Sequence, residues 1–235
     1  MGELWSWFAD PGNWQGPAGI PARLAEHIML SLPPVLLAGM LAVPIGILLG
    51  HVRRGAFVAI SFANIGRAVP SFAILVLALP VALRWGLGLS YWPAFVALFV
   101  LAVPPILTNS YTGVREADPE VVEAGRGMGL REREVLWGVE IPLGLPLVLT
   151  GIRVAAVHVI ATATLAALVA GGGLGRFIID GFATGDTPQV VGGAILVAAL
   201  AVSAELGLSA FERVSVSPGL RPSGYLDQLQ DVKPG

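Results

Sequence analysis

The sequence predicts an all-α fold: a polytopic membrane protein with five transmembrane helices. Three observations carry this. The 235 residues are 55% hydrophobic and 13% charged, with a mean hydropathy of +0.76, so the charged fraction is about half that of an ordinary soluble domain. Five apolar runs recur along the chain, each of about 20 residues or more and able to cross the hydrocarbon layer as a helix. One long polar run, at 115–142, separates two strongly apolar regions.

Residues 1–26 form an amino-terminal arm with Trp5, Trp7, Phe8 and Trp14 among Gly, Pro and acidic residues, a pattern that suits an amphipathic segment at the bilayer surface. The arm lacks the basic start and apolar run of a signal peptide, so the first span is expected to serve as the insertion signal. That span is placed at 28–50, between His27 and His51, and is bent by Pro33, Pro34 and Pro44, each of which removes a backbone donor. The second, at 56–83, reads as one long helix interrupted by Asn64, Arg67 and Pro70. An arginine inside a membrane is costly, so Arg67 is expected beside a polar passage or subunit boundary near the break at Pro70.

The third span, 91–111, has no charge and carries Pro104-Pro105 as a kink. Its inner end is polar: Thr108, Asn109 and Tyr111 either line a passage or hydrogen-bond to neighbouring helices. The fourth, 147–170, holds Arg153, expected to snorkel to the interface. His158 is expected to make a bundle contact rather than carry protons, because no acid or second histidine lies near it in the span. Thr162 and Thr164 stand there among alanines that permit close helix packing. The run Gly171-Gly172-Gly173-Leu174-Gly175-Arg176 lacks the Lys-Ser/Thr of a phosphate loop and follows a membrane helix rather than a strand. It is expected to be a flexible turn before an amphipathic piece at 177–182. The fifth span is placed at 190–211, with Glu205 near its end, and a loosely ordered tail follows at 214–235.

Within the polar run, Asp118 before Pro119 marks a helix start, since aspartate caps free N–H groups and proline is tolerated at the first helical position. Gly125, Gly127 and Gly129 weaken the helix and place a turn near Gly129. A second helical piece is expected from Arg131 to Val139, closed by Pro142. The whole forms a compact helix–turn–helix on one membrane face, with small residues that let another protein approach.

The pattern Glu123-Ala124-Gly125, three residues, Gly129, nine residues, Val139-x-Ile141-Pro142 resembles the EAA loop of permease subunits in binding-protein-dependent ABC importers. It departs from the family pattern at Gly125 for alanine, Val139 for isoleucine and Ile141 for leucine. The resemblance extends over 28–213, through NIGRAVPSFAILVLALP, PPILTNSYTGVREADPEVVEAGRGMG and VIATATLAALVAGGGLGRFI, to the osmoprotectant group of these permeases. It implies a type I ABC importer permease fold and a coupling loop at 115–142 that sits in a cleft of a cytoplasmic ATPase. The implied partners are ATPase subunits, a second permease subunit (identical or paralogous) and an extracytoplasmic solute-binding protein. ATP and magnesium would belong to the ATPase, with no cofactor on this chain. The implied cargo is glycine betaine, choline, carnitine or proline, with a methionine-type amino-acid importer as the alternative. Asn64, Arg67, Pro70, Thr108, Asn109, Tyr111, Thr162 and Thr164 are the candidate passage or gate residues.

Other classes fit less well. A secondary transporter is expected to show intramembrane acids or an inverted repeat. A membrane enzyme would need a nucleophile, paired acids or a metal set, and the chain has no cysteine and three scattered histidines. The net charge of −2 without a basic stripe argues against nucleic acid. Basic residues set the expected orientation in the cell membrane. With the amino terminus outside, the inner segments hold Arg53, Arg54, Arg115, Arg126, Arg131, Arg133, Arg213, Arg221 and Lys233, and the outer ones Arg23, Arg84 and Arg176. The 115–142 loop and the carboxyl terminus are then cytoplasmic.

Overall fold

The computed structural model describes residues 2–53, 57, 61, 70–89, 91–169 and 171–216. Among them every regular element is helical. In chain order these are α1 (Gly2–Ala9), a 3₁₀ turn (Pro11–Trp14), α2 (Ile20–His51), α3 (Ser71–Arg84) and α4 (Tyr91–Arg115). Then come α5 (Pro119–Gly127), α6 (Glu132–Val135), a π-helical turn (Leu136–Glu140), α7 (Ile141–Thr162), a 3₁₀ stretch (Ala163–Val169), α8 (Gly175–Thr184) and α9 (Thr187–Ser215). Four helical stretches among the described residues are long and apolar enough to cross a membrane: Ile20–His51, Tyr91–Arg115, Glu132–Val169 and Thr187–Ser215. The second expected span, 56–83, is represented among the described residues by α3, whose 14 residues rise about 21 Å. Pro70 caps α3 in extended conformation, so the helix starts afresh there, as the proline predicts. Asn64 and Arg67 lie outside the described residues.

The centre is a bundle of α2, α4 and α7. Its core is built from Val35, Ala38 and Ala42 of α2, Leu98, Ala102 and Ile106 of α4, and Ala155 and Val159 of α7. So much alanine works only where the backbones lie close, and glycines allow this. A Cβ on Gly46 would stand 2.7 Å from the Ser110 Cβ, and one on Gly50 2.8 Å from the Tyr111 carbonyl oxygen. On the other side of α4, Gly113 and Gly144 meet backbone to backbone, and Gly151 rests on Asn109 and Pro105. Gly113 against Gly144, and Gly151 against Pro105, also show that α4 and α7 run antiparallel.

Several local expectations are corrected. The first long helix begins at Ile20, so the end of the arm belongs to it and not to a separate surface segment. The arm is not wholly interfacial either: Trp7 is buried, edge-on to Phe177 at 5.5 Å between ring centroids, over Gly192 of α9. Trp5 and Trp14 remain exposed. Arg153 does not merely snorkel. It pairs with Glu205 and Glu212 of α9, each at 3.5 Å, because a charge this far along an apolar helix is neutralised most cheaply by acids on its neighbour. His158 is exposed on α7. Pro142 does not close a helix; it occupies the first turn of α7, where its missing N–H costs nothing. The π turn before it lets the backbone run on from α6 into α7.

Candidate coupling surface and passage residues

The 115–142 segment folds on a small apolar core of its own, Ala117, Val122 and Val135, with Val139 and Leu143 against it. The Asp118 carboxylate accepts the Glu120 N–H at 2.9 Å and Pro119 opens α5, satisfying one of the free donors of the first turn. At the other end, Gly129 has φ +90. Its N–H donates to the Arg126 carbonyl and that of Leu130 to the Gly125 carbonyl, the paired closure that requires a left-handed residue after the helix. The Glu134 carboxylate accepts the Arg131 N–H at 2.7 Å and starts α6.

This arrangement sorts the motif residues into two sets. Gly125 is buried and faces Leu130 and Val139, whereas Glu123, Ala124 and Gly129 are exposed. Val139, Ile141 and Pro142 are half-buried where the segment turns into α7. The same segment carries exposed apolar side chains, Met128 at 79% and Trp137 at 69% exposure. An isolated exposed leucine needs no explanation, but bare Met and Trp on one short segment have the composition of a contact surface. Arg126 lies at its edge, held by two 3.0 Å bonds to Glu132. That hydrogen bonding keeps the guanidinium pKa above its ordinary value.

Two histidines that the sequence showed only as brackets of the first span tie distant parts together. At one end of α2, the His51 Nδ1 meets the Glu140 carboxylate at 2.5 Å, and its Nε2 lies 3.8 Å from Glu132. Glu140 is 1% exposed, and a carboxylate so buried persists only because it is paired. At the other end, fully buried His27 accepts the Leu174 N–H on Nδ1 at 3.2 Å, which puts its proton on Nε2, 2.9 Å from the Ile160 carbonyl. Beside it, the Glu26 carboxylate accepts the Gly173 N–H at 2.8 Å and an Arg23 N–H at 2.8 Å. The glycine-rich run is therefore not a flexible turn. It is pinned to α2, and a Cβ on Gly172 would displace the Glu26 carboxylate. His27→Leu is expected to strand two buried backbone groups and cost about 2–3 kcal/mol, read as a lower thermal midpoint of the detergent-extracted protein.

The candidate passage residues do not converge on one place. Asn109 bonds back to the Pro105 carbonyl at 2.8 Å, beside Gly151. Tyr111 is buried, and among the described residues neither its hydroxyl nor that of Thr108 has a hydrogen-bond partner. Thr162 lines a crevice of about 10 Å³ with Ser71, Ala94 and Leu98, enough for about one water. Thr164 bonds to the Ala161 carbonyl at 2.8 Å. Leu98 and Thr108 are ten residues apart on α4, about 15 Å along the axis. The two threonines of the fourth span thus lie at a different depth from Thr108 and Tyr111.

Residues 42–214 match the family model described as "Binding-protein-dependent transport system inner membrane component". The chain belongs to that family. Among its relatives, the glycine betaine/carnitine/choline transport system permease protein OpuCB of Bacillus subtilis is 38% identical over 199 residues, covering 85% of this chain and 89% of the relative. The carnitine transport permease protein OpuCB of Listeria monocytogenes is 41% identical over 187 residues, covering 80% and 84%. An inward-facing structure of the MetNI methionine ABC transporter superposes with a TM-score of 0.72 at 20% identity, over 84% of this chain and 96% of that one, which establishes the type I importer fold. The protein is therefore a multi-pass membrane permease subunit rather than an enzyme; ATP hydrolysis belongs to a separate subunit. In this permease, His27, His51 and Glu140 escaped the sequence reading because their partners lie far along the chain. Their only local signal was a polar residue at each end of an uncharged run and a lone acid two residues before Pro142.

Proposed function

We propose that this permease moves a small osmoprotectant into the cell, a quaternary ammonium compound such as glycine betaine, choline or carnitine, or else proline. The observation that carries the reading is 38–41% identity, over at least 80% of the chain, to permeases named for these solutes. The candidate passage residues are compatible with it. Tyr111, Thr108, Asn109, Thr162 and Thr164 offer hydroxyl, amide and aromatic groups, which suit a permanent cation better than a ring of arginines would.

In this reading residues 27–213 are the permease domain, with 1–26 and 214–235 as flanking arm and tail. The 115–142 loop is the contact with the ATPase, made by Glu123, Ala124, Gly125, Gly129, Val139, Ile141 and Pro142. ATP, with magnesium, closes the ATPase dimer and draws together the loops of two permease subunits. The passage then opens outward toward a binding protein that has delivered the solute, so each state is favoured by different contacts. The amino terminus is outside and the carboxyl terminus cytoplasmic. A cysteine introduced as Gly12→Cys should react with an impermeant reagent outside intact cells and one introduced as Glu120→Cys should not; the reverse pattern inverts the topology.

The substrate is tested with the complete complex in proteoliposomes, supplied with its own binding protein. ATP-dependent uptake of labelled betaine, choline or carnitine is expected. Uptake of methionine and none of these would overturn the osmoprotectant reading while leaving the importer intact.

A further inference from the structure

We propose that His51 is the joint through which movement of the 115–142 segment is passed to the first long membrane helix. The chain itself joins that segment to α4 on one side and α7 on the other, so those two helices follow it through the backbone. Helix α2 has no such link; 89 positions separate His51 from Glu140.

Where its last turns meet α4, Gly46 and Gly50 lie against the backbone of Leu107–Val114 and the Ser110 and Val114 side chains, a close contact without a directional bond. Packed helices of this kind still allow small shear movements past one another. The His51–Glu140 pair is different. It is short, directional and sheltered, with the Glu140 side chain 1% exposed and that of His51 15% exposed. A charge-assisted bond in such a place resists both stretching and breaking.

From there the link continues outward. The His51 Nε2 faces Glu132 of α6, and Glu132 holds Arg126 of α5 in a two-pronged bond. One imidazole thus touches the π turn and α6 and, through Glu132, reaches the helix that carries Glu123 and Ala124. The neighbouring contact, Arg115 on the Arg53 carbonyl at 3.1 Å, is exposed and rests on a neutral group, so it carries less.

This inference rests on the reading of 115–142 as the ATPase contact. The test uses the whole complex, with ATPase subunits and binding protein, in proteoliposomes with labelled solute outside. ATP hydrolysed per solute taken up is measured per assembled complex. His51→Leu is expected to raise that ratio at least about fivefold, because hydrolysis continues while uptake falls. Glu140→Gln, whose amide still bonds the imidazole but without the charge, should raise the ratio less than His51→Leu does.

The chain contains no cysteine, which permits a second measurement. The double variant His51→Cys, Glu140→Cys should be uncoupled, and bridging the two thiols with a short bifunctional reagent should bring the ratio back. An unchanged ratio in His51→Leu, or a bridge that fails to restore coupling, overturns the joint. Failure of every variant to assemble assigns the pair to folding alone and overturns it too. Absence of the ATPase from the parent complex would instead remove the underlying reading of the segment.

Discussion

Gly144→Leu is expected to leave almost no folded permease. A Cβ at this position would stand 2.7 Å from both the carbonyl carbon and the oxygen of Gly113. The obstacle is backbone on a facing helix, so no rotamer change relieves it, and α4 and α7 must separate. Overpacking costs about 1–3 kcal/mol where side chains can yield; here the cost should exceed about 3 kcal/mol, a large part of the stability of a typical domain. The check is the yield of monodisperse protein after detergent extraction and its thermal midpoint. Gly39→Leu, in α2 where nothing lies within 4 Å of the added atom, is the control and should extract normally. Equal yields from the two variants would refute the close approach.

Gly129→Trp is expected to leave the membrane helices inserted and reduce uptake by at least about tenfold. Two effects combine. At φ +90 any L side chain is strained, by about 1–3 kcal/mol, and the closure that stops α5 depends on that conformation. The indole would also project into open space, since none of the described residues lies within 4 Å of the added atom. That is the space an ATPase would occupy. Gly129→Ala separates the terms, because it carries the strain without the bulk and should lose less. Gly125→Ala is the opposite case: its added carbon makes ordinary contact with Leu130 at 3.4 Å, and the gain in helix propensity is worth about 1 kcal/mol. Retained uptake and ATPase association in a well-expressed Gly129→Trp protein would remove this surface from the coupling role.

The elements that the sequence determined are those governed by neighbours along the chain. Apolar length gave the membrane helices, Asp118-Pro119 gave the start of α5, and Gly129 gave its end, because a cap and a left-handed turn depend only on the residues that form them. The motif spacing likewise placed Glu123 through Pro142 in one local unit. What the sequence misjudged involves contacts across the bundle. A flexible glycine run and a pinned one have the same composition; only the approach of Glu26 and His27 from α2 distinguishes them. Arg153 reads as a snorkelling residue until α9 brings Glu205 and Glu212 beside it. Pro142 reads as a stop because proline breaks helices from within, and it begins one here because the preceding π turn shifts the hydrogen-bond ladder past it. The five glycines that set the spacing of α2, α4 and α7 were invisible as contacts, since a glycine signals nothing about the backbone opposite. Local chemistry therefore fixed which segments are helical and where the 115–142 motif lies. The tertiary structure decided which polar groups meet, because burial and pairing depend on residues that the chain brings together only after it folds.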